Sequence, residues 1–331
     1  MDWRTHTHSA SRVASRRRRG LLTLAATAGL VVLVGSASVA AADGGTGSSP
    51  DVRAGAKSIG HSSKPNTSGL LSLHSSQATG VITPTPAVYL VFWGSQWVNN
   101  PAQADPAGAA SALQSLFGTL YGSADTWGTI LDQYCEGMPS GTTTCTAGTH
   151  VQHPTSSVLR GVWFDKSTPA PTKATTSQIA AEAVSAAAFV RANSPQPPDL
   201  LNAQFVIASP SGAHPDGFPH GFCGWHSSTT SSFGNVAYTN LPYVPDLAAA
   251  SCTTIPSPGP LDGYESTETH EYAESVTDPF PSSGWLKGGA EIGDLCETQD
   301  AHLTINNATY DVQGLWSNAA NAGAGGCVTS G

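Results

Sequence analysis

The chain has 331 residues, only 11% of them charged, and its 23 acidic against 14 basic side chains give a net charge of −9. That balance speaks against binding nucleic acid or an anionic membrane surface, both of which draw on basic patches.

Residues 1–42 have the layout of an export signal. Arg16-Arg17-Arg18-Arg19 form a positive n-region, Leu21 to Val34 an apolar h-region, and Ala40-Ala41-Ala42 a small-residue cleavage site before Asp43. The expected route is general secretion or, from the consecutive arginines, twin-arginine export. The apolar run is short for a membrane span, and no longer one follows. Cleavage would remove six Arg and one Asp, leaving 8 basic and 22 acidic residues and a net charge of −14. Residues 43–83 are rich in Gly, Ser, Thr and Asn and read as a disordered linker or prosegment.

Residues 84–331 are enough for one large domain. Its periodicities predict strands at Ala87–Trp93, Val158–Phe164, Ala203–Ala208 and Phe233–Tyr243. They predict helices at Ala107–Tyr121, Trp127–Tyr134 and Thr176–Ala192, the last capped by Thr176 or Ser177. Short strands are expected at 308–313 and 315–317. The order implies an α/β or α+β fold, a mixed sheet flanked by helices, of which a zincin-like domain is one form. Six cysteines in an exported chain favour disulfides. Proximity pairs Cys135 with Cys145, Cys223 with Cys252 and Cys296 with Cys327, one of fifteen pairings that six cysteines allow.

The carboxylates concentrate between Asp262 and Asp294. Asp262 with Glu265 reads as a capping box, and Asp278-Pro279 as a stop, so Gly263–Thr277 should be a helix of about four turns. Within it His270-Glu271-Tyr272-Ala273-Glu274 is an HExxE pattern. His270 and Glu274 project from one face, with Glu271 beside them. In HExxH enzymes this spacing places two side chains on one zinc while the intervening Glu acts as general base. A carboxylate in place of the second His still suits zinc, and makes manganese or calcium stronger competitors. Glu291 and Asp294 lie at the distance from which a further carboxylate ligand would come. A solvated charge run would have the same letters. Against it, Tyr264, Tyr272, Ala273 and Val276 give the helix an apolar side, and no Lys or Arg lies between Arg191 and Lys287.

His214, His220 and His226 fall in a Gly- and Pro-rich stretch that reads as a loop. His226, three residues after Cys223, is an auxiliary candidate, although packing beside Trp225 is its plainer role. Asp278 is the other auxiliary candidate. No GxSxG, SxxK, P-loop or GxGxxG is present.

The blocks VYLVFWG, FCGWH, THEYAESVTDP, GW, EIGDLC, YDVQGLWSN and GCV follow one another from Val88 to Cys327. In that order they resemble the phosphate-induced or Exordium-like family of secreted proteins. The resemblance implies an extracellular or cell-wall protein. It carries the family's HExxE onto His270, Glu271 and Glu274, and its EIxDLC onto Glu291, Ile292, Asp294, Leu295 and Cys296. Two functions are expected to compete. One is an exported zincin-like metallopeptidase, with His270, Glu274, Glu291 and Asp294 as ligands and Glu271 as base. The other is a non-catalytic protein that binds a peptide or cell-wall polymer.

Overall fold

The computed structural model describes Lys57 and residues 69–74, 80–120 and 124–331. The expected export signal, and most of the expected linker, lie outside the described residues. Five strands form the central sheet: β1 (Ala87–Trp93), β2 (Leu159–Asp165), β3 (Ala203–Ala208), β4 (Trp225–Ser231) and β5 (Gly234–Leu241). They lie in the order β2-β1-β3-β5-β4, parallel except for β4, which runs antiparallel to β5 at one edge. β1 and β3 are buried almost throughout, which is why they read as unbroken apolar runs. Tyr89 stacks on Phe205 across that pair, with ring centroids 5.1 Å apart. β4 is buried only over Trp225–Ser227, and its Ser- and Thr-rich remainder suits an edge.

Helices α1 (Ala109–Thr119), α2 (Thr176–Asn193) and α3 (Asp262–Thr277) flank the sheet. α2 begins with a capping box one residue earlier than expected, Thr175 and Gln178 exchanging side-chain-to-backbone bonds of 3.3 and 2.9 Å. The piece expected as a helix around Trp127–Tyr134 is a 3-10 turn over Gly128–Gln133. The three disulfides are Cys135–Cys145, Cys223–Cys252 and Cys296–Cys327. Among the described residues no helix is long and apolar enough to cross a membrane.

The polar stretch before Pro84 is not all linker. Leu71, Leu73, Val81 and Ile82 are buried in the core, and Ser72–Leu73 pairs antiparallel with Trp285–Leu286. A few apolar residues among Gly and Ser suffice to dock these pieces, so the domain starts earlier than composition indicates.

α3 is buried from Gly263 to Thr277, on every face. Its hydroxyls make that tolerable: Thr267 and Thr277 donate to the carbonyls of Gly263 and Ala273 one turn back, at 2.6 and 3.0 Å. Gln204 of β3 donates to Ser275 at 2.9 Å. A hairpin of β6 (Asp300–Ile305) and β7 (Ala308–Gln313) closes the other side. There Glu265 accepts the Asp311 N–H at 3.0 Å, and Thr269 the Gln313 N–H at 3.2 Å. The expected Asp262–Glu265 capping box does not form. The helix starts one residue earlier, at a Leu261 N-cap without a side-chain bond, which leaves Asp262 to bridge Gly259 and His302.

On α2, Glu182 is buried close to Asp165. Burial, and then that carboxylate, push its pKa from the ordinary 4.5 to about 8. The folded state therefore favours the protonated acid. Its contribution to stability is fully present below pH 4.5 and is lost as pH rises to about 8. Glu182→Gln mimics the protonated acid. Followed by thermal unfolding against pH, it should match the parent at low pH and exceed it by on the order of 5 kcal/mol above pH 8.

Candidate metal centre

Three elements converge on one point beside the sheet edge. α3 supplies His270, Glu271 and Glu274, all with no accessible surface. The buried start of β4 supplies His226, and the turn after Trp285–Leu286 supplies Glu291 and Asp294. The Cys223–Cys252 bond ties the approach to β4 to the segment before α3, and Cys296–Cys327 pins the chain two residues beyond Asp294. Close approach is built in at Gly293, where a Cβ would lie 2.7 Å from His270 Nδ1 and 2.9 Å from Glu274 Oε1.

In each of four side chains, one polar atom is held by the scaffold and the other is turned inward. His270 Nδ1–H donates to Gln313 Oε1 at 3.0 Å, which directs Nε2 to the centre. His226 Nε2–H donates to the Asp278 carbonyl at 3.2 Å, which directs Nδ1 there. Glu274 Oε1 accepts the N–H groups of Gly293 and Asp294 at 3.2 and 3.0 Å, and Glu271 Oε1 that of Lys57 at 3.2 Å. The inward atoms, His226 Nδ1, His270 Nε2, Glu271 Oε2 and Glu274 Oε2, have no hydrogen-bond partner, nor does either carboxylate oxygen of Glu291. Buried polar groups are almost always partnered, so four such side chains meeting at one point, with Glu291 beyond the His226 ring, form a donor set that a cation would satisfy.

The separations fit that reading. Glu274 Oε2 is 3.2 Å from His270 Nε2 and 3.6 Å from His226 Nδ1. His226 Nδ1 is 3.5 Å from Glu271 Oε2, and His226 Nε2 is 3.5 Å from Glu291 Oε1. Metal–ligand bonds of about 2.0–2.2 Å at tetrahedral angles place neighbouring ligand atoms roughly 3.3–3.5 Å apart. The ligand atoms form two overlapping triads, His270–Glu274–Asp294 and His226–Glu271–Glu274, each spanning no more than 4.8 Å and sharing Glu274. Asp294 is the outermost member, its side chain 24% exposed and 3.9 Å from His270 Nε2.

The electrostatics follow from burying four carboxyls with two imidazoles. Burial, then the Glu274 charge, raise Asp294 to about 7. Burial lifts Glu291 and Glu271 above the usual carboxylate range. Burial opposes the charged form of Glu274 too, but His270 and His226 outweigh it and hold that carboxyl below its ordinary value. Burial would likewise depress His270, yet Glu274, then Glu271 and Asp294, carry it up to about 10. The cluster thus retains protons that a divalent cation would displace.

Of the residues expected at the site, His270, Glu271, Glu274 and Asp294 come together, and Glu291 reaches it through His226. Asp278 does not take part through its side chain, which accepts the N–H groups of Ser282, Ser283 and Gly284. His214 and His220 line a separate cleft with Lys173 and Phe218. The loop expected around His226 is instead the first turn of a strand into the site. Its signal was the Trp225-His226-Ser227 step after Cys223, masked by a hairpin whose two-residue connection, Ser232-Phe233, lacks the usual Asn-Gly. Gln313 falls in the YDVQGLWSN block but nothing there pointed to the site, and Lys57 had no signal in the sequence. Comparison with protein-family models, with curated proteins and with solved structures gave no match.

Gln313 also donates to the Gly293 carbonyl at 2.8 Å, so it orients His270 and braces the loop that carries Asp294. Gln313→Ala should weaken zinc binding by about 10–100-fold in a chelator competition titration, whereas His270→Ala should abolish stoichiometric binding.

Proposed function

We propose that the protein is an exported, zincin-like metallohydrolase acting on peptides. The observation that carries this reading is the set of unpartnered inward atoms on His226, His270, Glu271 and Glu274. His270, Glu274 and Asp294 hold the cation, with His226 and Glu291 supporting the shared Glu274. Mixed imidazole and carboxylate donors suit zinc first and manganese next, whereas calcium prefers oxygen alone. When bound, such an ion supplies Lewis-acid polarisation of a carbonyl. Glu271 carries the proton: its Oε2 is unpaired and faces His226, whose ring can share the charge. β4 is an edge strand leading out of the site, and an extended peptide can add to such an edge through main-chain bonds. The three disulfides suit an oxidising compartment, which agrees with export.

A second reading has its own support. Five of the six converging side chains are closed from solvent, as in structural metal sites. In that case the chain is an Exordium-like extracellular protein, the cation holds the fold together, and function lies in binding a partner or cell-wall polymer.

Metal content by mass spectrometry, on the parent and on His270→Ala, comes first. About one zinc or manganese per chain, lost in the variant, is the expected result; a parent that stays folded and cannot be loaded would sink the hydrolase reading. Glu271→Gln then separates the two functions. It should lower peptide turnover by at least about 1,000-fold, with cation content and thermal midpoint held. A loaded parent without hydrolysis, losing stability when the cation is stripped, would favour the structural reading.

A further inference from the structure

The donor set of the metal centre is larger than one cation can use. His270, Glu274 and Asp294 form one triad of ligand atoms and His226, Glu271 and Glu274 the other, each within 4.8 Å. Glu274 Oε2 belongs to both, 3.2 Å from His270 Nε2 and 3.6 Å from His226 Nδ1. Among the described residues no triad contains both imidazoles, so the two rings are the pair that stands too far apart. Atoms bound to one ion at about 2.0–2.2 Å lie no more than about 4.4 Å from each other. His226 and His270 are therefore placed to serve different ions.

The His226 triad has the marks of a position in its own right. Its three side chains have no accessible surface, and His226 Nδ1, Glu271 Oε2 and Glu274 Oε2 all lack a hydrogen-bond partner. His226 Nδ1 is 3.5 Å from Glu271 Oε2, which suits two ligands of one tetrahedral ion. Charge points the same way. One divalent cation balances two of the carboxylates Glu271, Glu274, Glu291 and Asp294, whereas a second balances the rest, and buried charge left uncompensated is costly. Glu291 acts here from outside: its Oε1 is 3.5 Å from the far nitrogen of His226, where it steadies that ring.

We propose that the centre holds two divalent cations bridged by Glu274, and that the second, among His226, Glu271 and Glu274, switches hydrolysis off. The second position stands on the geometry alone; its inhibitory effect rests on the hydrolase reading above. The first ion enters at Asp294, whose side chain is 24% exposed. The second lies deeper and is repelled by the first across the shared oxygen, so it binds more weakly and fills only in excess cation. It takes Glu271 Oε2, the oxygen that would otherwise receive the proton of the attacking water. With that acceptor occupied, the peptide C–N bond stays intact. Imidazole and carboxylate donors together make zinc the first choice for this position too.

The test titrates the metal-free full chain with zinc by calorimetry and reads cation content by mass spectrometry. In excess zinc the parent should take about two ions per chain, the second at least about tenfold more weakly. His226→Ala should keep the first and lose the second. Loaded with manganese instead, the parent should give the electron paramagnetic resonance spectrum of an exchange-coupled pair, and His226→Ala that of an isolated ion. Peptide turnover by the parent should rise up to about one zinc per chain and then fall by about 100-fold as the second binds. Turnover by His226→Ala, at whatever level it starts, should not fall over that range. A parent that saturates at one zinc, or holds two manganese ions without coupling, overturns the second position and leaves the hydrolase reading standing. Two coupled ions with turnover indifferent to the second overturn the inhibition. Two coupled ions without turnover at any loading uphold the position and overturn the hydrolase reading instead. Should His226→Ala not fold, the stoichiometry and coupling of the parent decide between the same outcomes.

Discussion

The molecule is built around a helix that has no outside. α3 is buried along fifteen consecutive residues, yet only Tyr264, Tyr272, Ala273 and Val276 among them are hydrophobic. Sequestering so many polar side chains is unfavourable unless each finds a partner. The remaining architecture supplies those partners. Its Ser and Thr hydroxyls are satisfied within the helix, by Gln204 of the sheet or by Asp300; Glu265 and Thr269 are met by the β6–β7 hairpin, and half of each carboxylate in the HExxE pair by backbone N–H groups. Both oxygens of Glu268 and the Tyr264 hydroxyl stay unpartnered elsewhere on the helix, and the inward atoms of His270, Glu271 and Glu274 converge on the candidate site.

Much of this layout could be read from the residues, for a physical reason. β1 and β3 are covered on both faces and carry continuous apolar runs, so their limits match expectation. β4 is an edge strand, half solvated and made of Ser and Thr, and its pattern is indistinguishable from a loop. α3 was legible in extent because Pro279 stops it, but not in environment: amphipathic spacing implied one buried face, whereas the fold buries them all. The HExxE letters identified His270, Glu271 and Glu274. They did not reveal that His226, some forty residues earlier, faces the same carboxylates, because that contact depends on strand order rather than on helical spacing. Gln313 lies about as far beyond the motif and Lys57 much further before it, and long-range pairing of this kind leaves no local periodicity.

The two histidines illustrate how the scaffold selects chemistry. Each ring spends one nitrogen on a neutral acceptor, the Gln313 amide for His270 and the Asp278 carbonyl for His226. In the neutral ring that choice fixes the tautomer and aims the remaining nitrogen inward. Replacing either acceptor by a carboxylate would fix the same tautomer and raise the ring's basicity as a ligand.

The covalent frame around the site has a consequence for when the centre can exist. Cys223–Cys252 and Cys296–Cys327 fasten the strand that bears His226 and the turn that bears Asp294 to chain lying 29 and 31 residues away. Four carboxyls confined together repel one another, and in a reduced chain that repulsion would favour letting the turn that bears Glu291 and Asp294 drift from α3. Oxidation removes that escape. Thiol oxidation therefore sets an order rather than merely adding strength: the convergence of β4 and the Asp294 turn on α3 is fastened only once Cys223–Cys252 and Cys296–Cys327 have been joined.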